Sequence, residues 1–212
     1  MSIWLKFEIH APWHIGTGTG TGLGVDALTV RGASGLPEIP GKAVKGLLRD
    51  AFAKVEQTGS IPSGRTVQLF GSAPGSRGNK DVSIAARQEM ERYESEPGSI
   101  QVDSARLGAG TSDQQKWQDW ATTDASTDLI DQMTEEVSST RLDQGIAAKG
   151  SLRSVEVALP LTLHAEVGSL DSDEQWKNEV RLAAGMLRAV GKMRHRGFGR
   201  CTVTVVEEGG AQ

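Results

Sequence analysis

Three short stretches of the chain set cations beside glycines. "RHRGFGR", Arg194 to Arg200, carries Arg194, Arg196 and Arg200 around Gly197 and Gly199. Glycines let a backbone approach a ligand closely, and a guanidinium grips a phosphate with two parallel hydrogen bonds. "GLPEIPGKAVKGLLRDAF", Gly35 to Phe52, runs a Pro-Gly turn into a helix carrying Lys42, Lys45 and Arg49. The start of a helix already carries partial positive charge, so lysines there work against the dipole, and a bound phosphate would reward them. "STRLDQGIAAKGSLRS" places Arg141, Lys149 and Arg153 around Gly145 and Gly150, the composition of a hairpin reaching out of a domain. Each stretch has a plain alternative: a solvated basic face, a tight turn, or an ordinary surface loop.

Other chemistry is sparse. His10, His14, His164 and His195 have no metal-ligand spacing, and the single Cys201 excludes an internal disulfide and a multi-cysteine zinc site. No phosphate-loop or nucleophile-elbow motif is present. Asp26 stands in a glycine-rich loop, "HIGTGTGTGLGVD". A lone loop aspartate is usually a turn former. In an RNA-binding protein it could also act on a ribose 2′-hydroxyl or hold a divalent ion.

The net charge of −4 hides an asymmetry. From Glu89 to Glu136 there are twelve acidic side chains against three basic ones, a balance of −9 that leaves +5 for the rest of the chain. An acidic middle between basic ends fits a polyanion-binding protein better than the overall charge suggests. No apolar run reaches the ~18 residues of a membrane span, and a reducing cytoplasm fits the cysteine usage.

Periodicity supplies the elements that must carry these groups. Residues 2–10 alternate as a strand, with Ile3, Leu5, Phe7 and Ile9 on one face. Val44, Leu47, Leu48, Ala51 and Val55 make the stripe of a helix from about Lys42 to Glu56. "DVSIAARQEMERYE" predicts a helix capped by Asp81, and "SIQVDSARL" a strand. The acidic, polar stretch after it, through "TEEV", predicts one or two short helices or a partly mobile segment. "SLRSVEVALPLTLHAEVG" reads as one long strand or a bent pair broken at Pro160. A helix capped by Ser172 is expected to run from there to about Met193, followed by the glycine loop and a closing strand, "CTVTVVEE". The plan is an α+β, ferredoxin-like (RRM-like) βαββαβ core. The core is expected at 1–56 and 150–212, with a large helical and hairpin insertion at 57–149.

Several of these stretches, in order, resemble one family. "LPEIPGKAVKGLLRDAF" resembles the Pro-Gly-to-helix element of RAMP proteins, the backbone subunits of type III CRISPR effector complexes. "GMLRAVGKMRHRGFGR" resembles their C-terminal glycine-rich loop. "LFGS", "IQVDSA" and "TRLDQGIAAKGSLRSVEVAL" fall between them in family order. The family usually has two serines after the Pro-Gly, where Lys42 and Ala43 stand here.

The resemblance implies a guide-RNA-binding subunit that works in the cytoplasm with target single-stranded RNA, other effector subunits and copies of itself, and without a membrane. It implies that Lys42, Lys45, Arg49, Arg194, Arg196, Gly197, Gly199 and Arg200 lie along the guide. It places Arg141, Lys149 and Arg153 on a hairpin that wedges into the guide–target duplex. Asp26 becomes the residue that cuts target RNA, with a divalent metal, most simply Mg2+, and is expected to be disordered until RNA binds. Two alternatives stay open. One is a cleavage-inactive structural subunit. The other is a stand-alone RNA-processing endoribonuclease of similar fold, which would use His10 or His14 as general base.

Overall fold

The computed structural model describes residues 2–21, 24–72 and 97–207. The expected helix capped by Asp81 lies outside the described residues. Strand β1 (Ser2–Ile9) leads through a long loop to helix α1 (Gly41–Gln57), short helix α2 (Arg65–Phe70) and strand β2 (Ile100–Val102). Helices α3 (Thr111–Ala121) and α4 (Thr127–Asp131) follow, with a 3-10 turn between them. Then come β3 (Thr134–Ser139), β4 (Leu142–Asp143), β5 (Ile146–Ala147), β6 (Arg153–Ala158), β7 (Thr162–Ser169), α5 (Gln175–Ala184) and β8 (Cys201–Val206).

Four strands make the central antiparallel sheet, in the order β2-β7-β1-β8. With α1 after β1 and α5 after β7, this is the βαββαβ plan the periodicity predicts. The sheet takes its edge strand β2 from inside the 57–149 stretch. Ile3, Leu5, Phe7 and Ile9 of β1 pack under Val44, Leu48, Phe52 and Val55 of α1 and Trp176, Val180 and Ala183 of α5. Arg65 clamps α2 to α5: its Nε donates to Glu179 at 2.8 Å and its Nη1 to Asp171 at 2.7 Å. Burial opposes the guanidinium charge, but the two carboxylates overcome it and raise the pKa.

A second, smaller layer projects from this core. β3 pairs with β6 along its whole length, and β4 with β5, so residues 134–158 form a two-stranded arm. The tip turns at Gln144 (φ 50°) and Gly145 (φ 82°), the left-handed pair that a two-residue hairpin loop needs. Trp13 fixes the arm's base. It is fully buried, its Nε1 donates to the Leu159 carbonyl at 3.0 Å, and its backbone exchanges hydrogen bonds with Ala158.

Three expectations need correction. "TEEV" is strand β3 and not part of the acidic helices, because the arm's β6 offers it a partner. Helix α5 stops at Ala184, and no side chain of Ser172 caps it. Instead the Asp171 carboxylate accepts from Asp173 N–H and the Asp173 carboxylate from Gln175 N–H. Residues 185–200 turn back on themselves through backbone bonds from Val190 N–H to Gly199 and from Cys201 N–H to Arg188. "SLRSVEVALPLTLHAEVG" is the bent pair, β6 and β7, with the break at Pro160.

Candidate nucleic-acid interface

The glycine-rich loop is stapled to the exit of β1. Gly199 N–H donates to the Pro12 carbonyl at 2.8 Å, Lys192 N–H to His14 at 2.8 Å, and His10 N–H to Arg200 at 2.7 Å. Two glycines are obligatory here. Gly191 (φ 77°) and Gly199 (φ 65°) sit in left-handed conformation, and a Cβ would run into the His14 carbonyl oxygen at the first and the Val190 carbonyl oxygen at the second. The loop therefore holds Arg194, His195, Arg196 and Arg200 outward on a rigid base. All four are exposed, and among the described residues none has a carboxylate within ion-pair distance. Lys192 and Arg188 extend the same basic surface; sequence reasoning passed over both, although they stand in the quoted loop.

The arm meets this surface at its base. His14 is buried and its Nδ1–H donates to the Glu156 carbonyl at 2.7 Å. Two residues back on β6, about 7 Å along the strand, Ser154 is held by Asp26. Asp26 N–H donates to the Ser154 carbonyl at 2.8 Å, and Asp26 Oδ2 accepts from Ser154 N–H at 2.8 Å. Ala27 then bridges Val155 in parallel. Asp26 is thus pinned to β6 and not disordered, because the strand's free edge satisfies both its backbone and its carboxylate. Its second oxygen stays half-exposed, 3.9 Å from Arg153 Nη1. Asp26 and Arg153, far apart in sequence, are brought together. Glu156 secures the same junction by accepting from Thr29 N–H at 2.9 Å and from Arg31 at 2.6 Å. Burial pushes the Glu156 carboxyl up, but these hydrogen bonds prevail and hold it below the usual glutamate range.

The cations of α1 lie elsewhere. Gly41 is required because a Cβ would collide with the Val102 carbonyl oxygen, and its N–H already donates to Ser104 Oγ at 3.2 Å. Lys42 is exposed beside this contact. Lys45 Nζ donates to the Ile100 carbonyl at 2.8 Å, and Arg49 Nη2 to the Gly71 carbonyl at 2.9 Å. Burial, then the neighbouring Arg49 charge, lowers the Lys45 pKa. Among the described residues neither side chain has a carboxylate partner, so an anion would relieve their repulsion. They sit at the β2 edge of the sheet, whereas the glycine loop sits at the β8 edge, three strand spacings or about 14 Å across. These are two contact regions and not one pocket. They also lie at opposite ends of the strands: Ile100 pairs with Ser169, level with the start of β1, whereas the glycine loop meets β1 at its exit, where Ile9 pairs with Cys201.

Arg141 and Lys149 are exposed on the arm near its tip, together with Leu142 (63% exposed) and Ile146 (74%). Among the described residues, the outer face of the sheet carries no exposed aromatics of an RNA-stacking platform. Its Trp4 is 3% exposed, and α3 packs there through Gln114, which donates to the His164 carbonyl at 2.8 Å. Among the described residues no cluster of three or more His, Cys, Asp or Glu side chains could hold a metal, and no helix is long and apolar enough to cross a membrane.

Residues 6–202 match the RAMP superfamily. The chain belongs to that superfamily. No curated protein matches it. Among solved structures, it is similar to a chain of the Type III-B Cmr-beta bound to cognate target RNA, at 12% identity, with 97% of each chain covered and a TM-score of 0.64. A chain of Type III-B Cmr-beta in the apo state gives 10% identity, 98% of each chain and 0.65. A chain of a Type IV-B CRISPR complex gives 14% identity, 100% of this chain and 93% of that one, and 0.57. At these identities the likeness is one of fold. It shows that the RAMP chain shares its overall architecture with these chains over nearly its whole length.

Proposed function

We propose that this RAMP protein is a backbone subunit of a CRISPR ribonucleoprotein of type III character and binds guide RNA along its sugar-phosphate backbone. The observation that carries the reading is the glycine-stapled loop, whose exposed Arg194, Arg196 and Arg200 have no carboxylate partner among the described residues. Uncompensated cations on a rigid backbone are arranged for phosphates. Lys42, Lys45 and Arg49 supply a second backbone contact, at the β2 edge. The arm, with Arg141 and Lys149 near an apolar tip, meets the guide–target duplex. The acidic face of α3 and α4 is the complement of this basic surface and supports head-to-tail contact with a second copy or a related subunit.

Target cleavage is assigned to Asp26. Its free oxygen takes the proton of a ribose 2′-hydroxyl as that oxygen attacks the adjacent phosphorus in line. The bond from phosphorus to the 5′-oxygen breaks, and the leaving oxygen takes a proton from water. Arg153 offsets charge on the phosphate. Asp26 and its described neighbours do not by themselves fit a divalent ion: the donor set is one carboxylate, half engaged by Ser154 and facing a guanidinium. No step is routed through a metal.

The test is to purify the tagged protein from its own cells and sequence what it carries. A ladder of small RNAs sharing a common end supports the reading, and nucleic-acid-free protein refutes it. In the assembled complex, Asp26→Asn keeps the acceptor for Ser154 N–H and should abolish target cleavage, with target affinity within about threefold. Undiminished cleavage assigns the chemistry to another subunit and leaves the cleavage-inactive reading. Loss of cleavage on adding EDTA would show an ion held largely by the RNA.

A further inference from the structure

Where the glycine loop meets the β1 exit, one buried polar atom has no partner. His14 is 1% exposed, and its Nε2 makes no hydrogen bond among the described residues. The other ring nitrogen faces the Glu156 carbonyl, which can only accept, so Nδ1 carries a proton. In the neutral ring Nε2 is then a lone-pair acceptor waiting for a donor. An unpaired buried acceptor is costly, and native structures keep few of them.

Gly16 lies against that atom, where no larger residue fits without a shift. A Cβ on Gly16 would stand 2.9 Å from His14 Nε2 and 3.3 Å from Lys192 Nζ. Lys192 is held at this place by its backbone N–H, which donates to the His14 carbonyl, and Gly191 can be nothing larger because it touches that same carbonyl. Lys192 is exposed and its long side chain can swing aside, while His14 is fixed to β6. The site therefore presents an acceptor, Nε2, and a donor, the ammonium. A phosphate oxygen satisfies the ammonium but brings no proton for Nε2. A hydroxyl satisfies both, donating to Nε2 and accepting from Lys192.

We propose that, with Lys192 swung aside from Gly16, His14 Nε2 and Lys192 Nζ bind a ribose 2′-hydroxyl, and that through it the chain selects RNA over DNA. The proposal rests on the reading above that the glycine loop follows a nucleic-acid backbone. The 2′-hydroxyl, donor and acceptor at once, is the group that distinguishes the two polymers at a given position.

The experiment measures binding of the full-length protein to one labelled sequence made as RNA, as DNA and as 2′-O-methyl RNA. The wild type should bind RNA about tenfold more tightly than either analogue, since the methyl ether cannot donate. Lys192→Met, at an exposed position, and Gly16→Ala, whose methyl would crowd His14 Nε2, should each reduce that preference to about threefold or less. A scan of single 2′-deoxy substitutions on the wild type, which needs no variant to fold, should find one dominant position. Equal binding of RNA and 2′-O-methyl RNA by the wild type, or an undiminished preference in both variants, overturns the 2′-hydroxyl site and leaves backbone binding standing. Absence of binding to all three polymers overturns the RNA-binding reading and this site together.

Discussion

Removing Arg194, Arg196 and Arg200 together, each to Ala, isolates the electrostatic share of RNA binding. The three side chains are exposed and none has a carboxylate partner among the described residues, so their loss costs the fold little, within about 0.5 kcal/mol per site. Each phosphate contact on a single strand contributes about 0.7 to the slope of log K against log salt. Three lost contacts should flatten the slope by about 2. Between 50 and 200 mM salt the affinity advantage of the wild type should then shrink about 18-fold, the three-contact slope applied to a fourfold change in salt. Fluorescence anisotropy with a labelled single strand reads this directly, and several unrelated sequences should lose affinity alike because phosphates carry no sequence information. Parallel salt slopes for the wild type and the triple variant would refute the assignment of these arginines to the RNA path. A loss confined to one sequence would point to base reading instead.

Gly199→Ala should destabilise the protein by at least about 1–2 kcal/mol, the cost of a left-handed backbone at a residue with a Cβ, with the collision at Val190 adding to it. Thermal melting should fall, and RNA affinity should fall with it because the loop loses its staple to Pro12. Glu156 ionises below its ordinary value of 4.5 in the folded chain, so the unfolded chain binds more protons as pH falls through that region. The stability it contributes is full above pH 4.5 and is lost as acid is added. Glu156→Gln should cost about 2 kcal/mol at pH 7 and make denaturant midpoints less sensitive to pH below 4.5. Burial pushes the Cys201 thiol up to about 11, so thiol reagents at pH 8 should label it only on the timescale of unfolding, and fast labelling of native protein would contradict its burial.

The alternation of Ile3, Leu5, Phe7 and Ile9 and the stripe from Val44 to Val55 made the core sheet and α1 legible, since one face of each had to be buried. The hairpin was legible from Gly145 between short extended runs. What stayed hidden depends on partners far away in sequence. Asp26 looked like a residue of a loose loop because nothing near it in the chain shows that Ser154 supplies both a donor and an acceptor. Helix α5 looked longer than it is because its apolar spacing continues through Leu187 and Val190. Those residues are buried by the returning loop and not by a helical turn. Lys45 and Arg49 were readable as cations, but their attachment to the β2 edge was not, because Ile100 and Gly71 offer only carbonyls. The role of His14 was hidden for the same reason: its partner Glu156 and its neighbours Gly16 and Lys192 come together only once the glycine loop, the β1 exit and the arm have met.

The most direct measurement is ultraviolet cross-linking of the protein to the RNA it carries, with the cross-linked peptides identified by mass spectrometry. The account predicts cross-links in residues 10–16, in 188–200 and on the arm between 141 and 153. It predicts none on the acidic face of α3 and α4. Cross-links concentrated on that acidic face, or an empty glycine loop in a particle full of RNA, would contradict it.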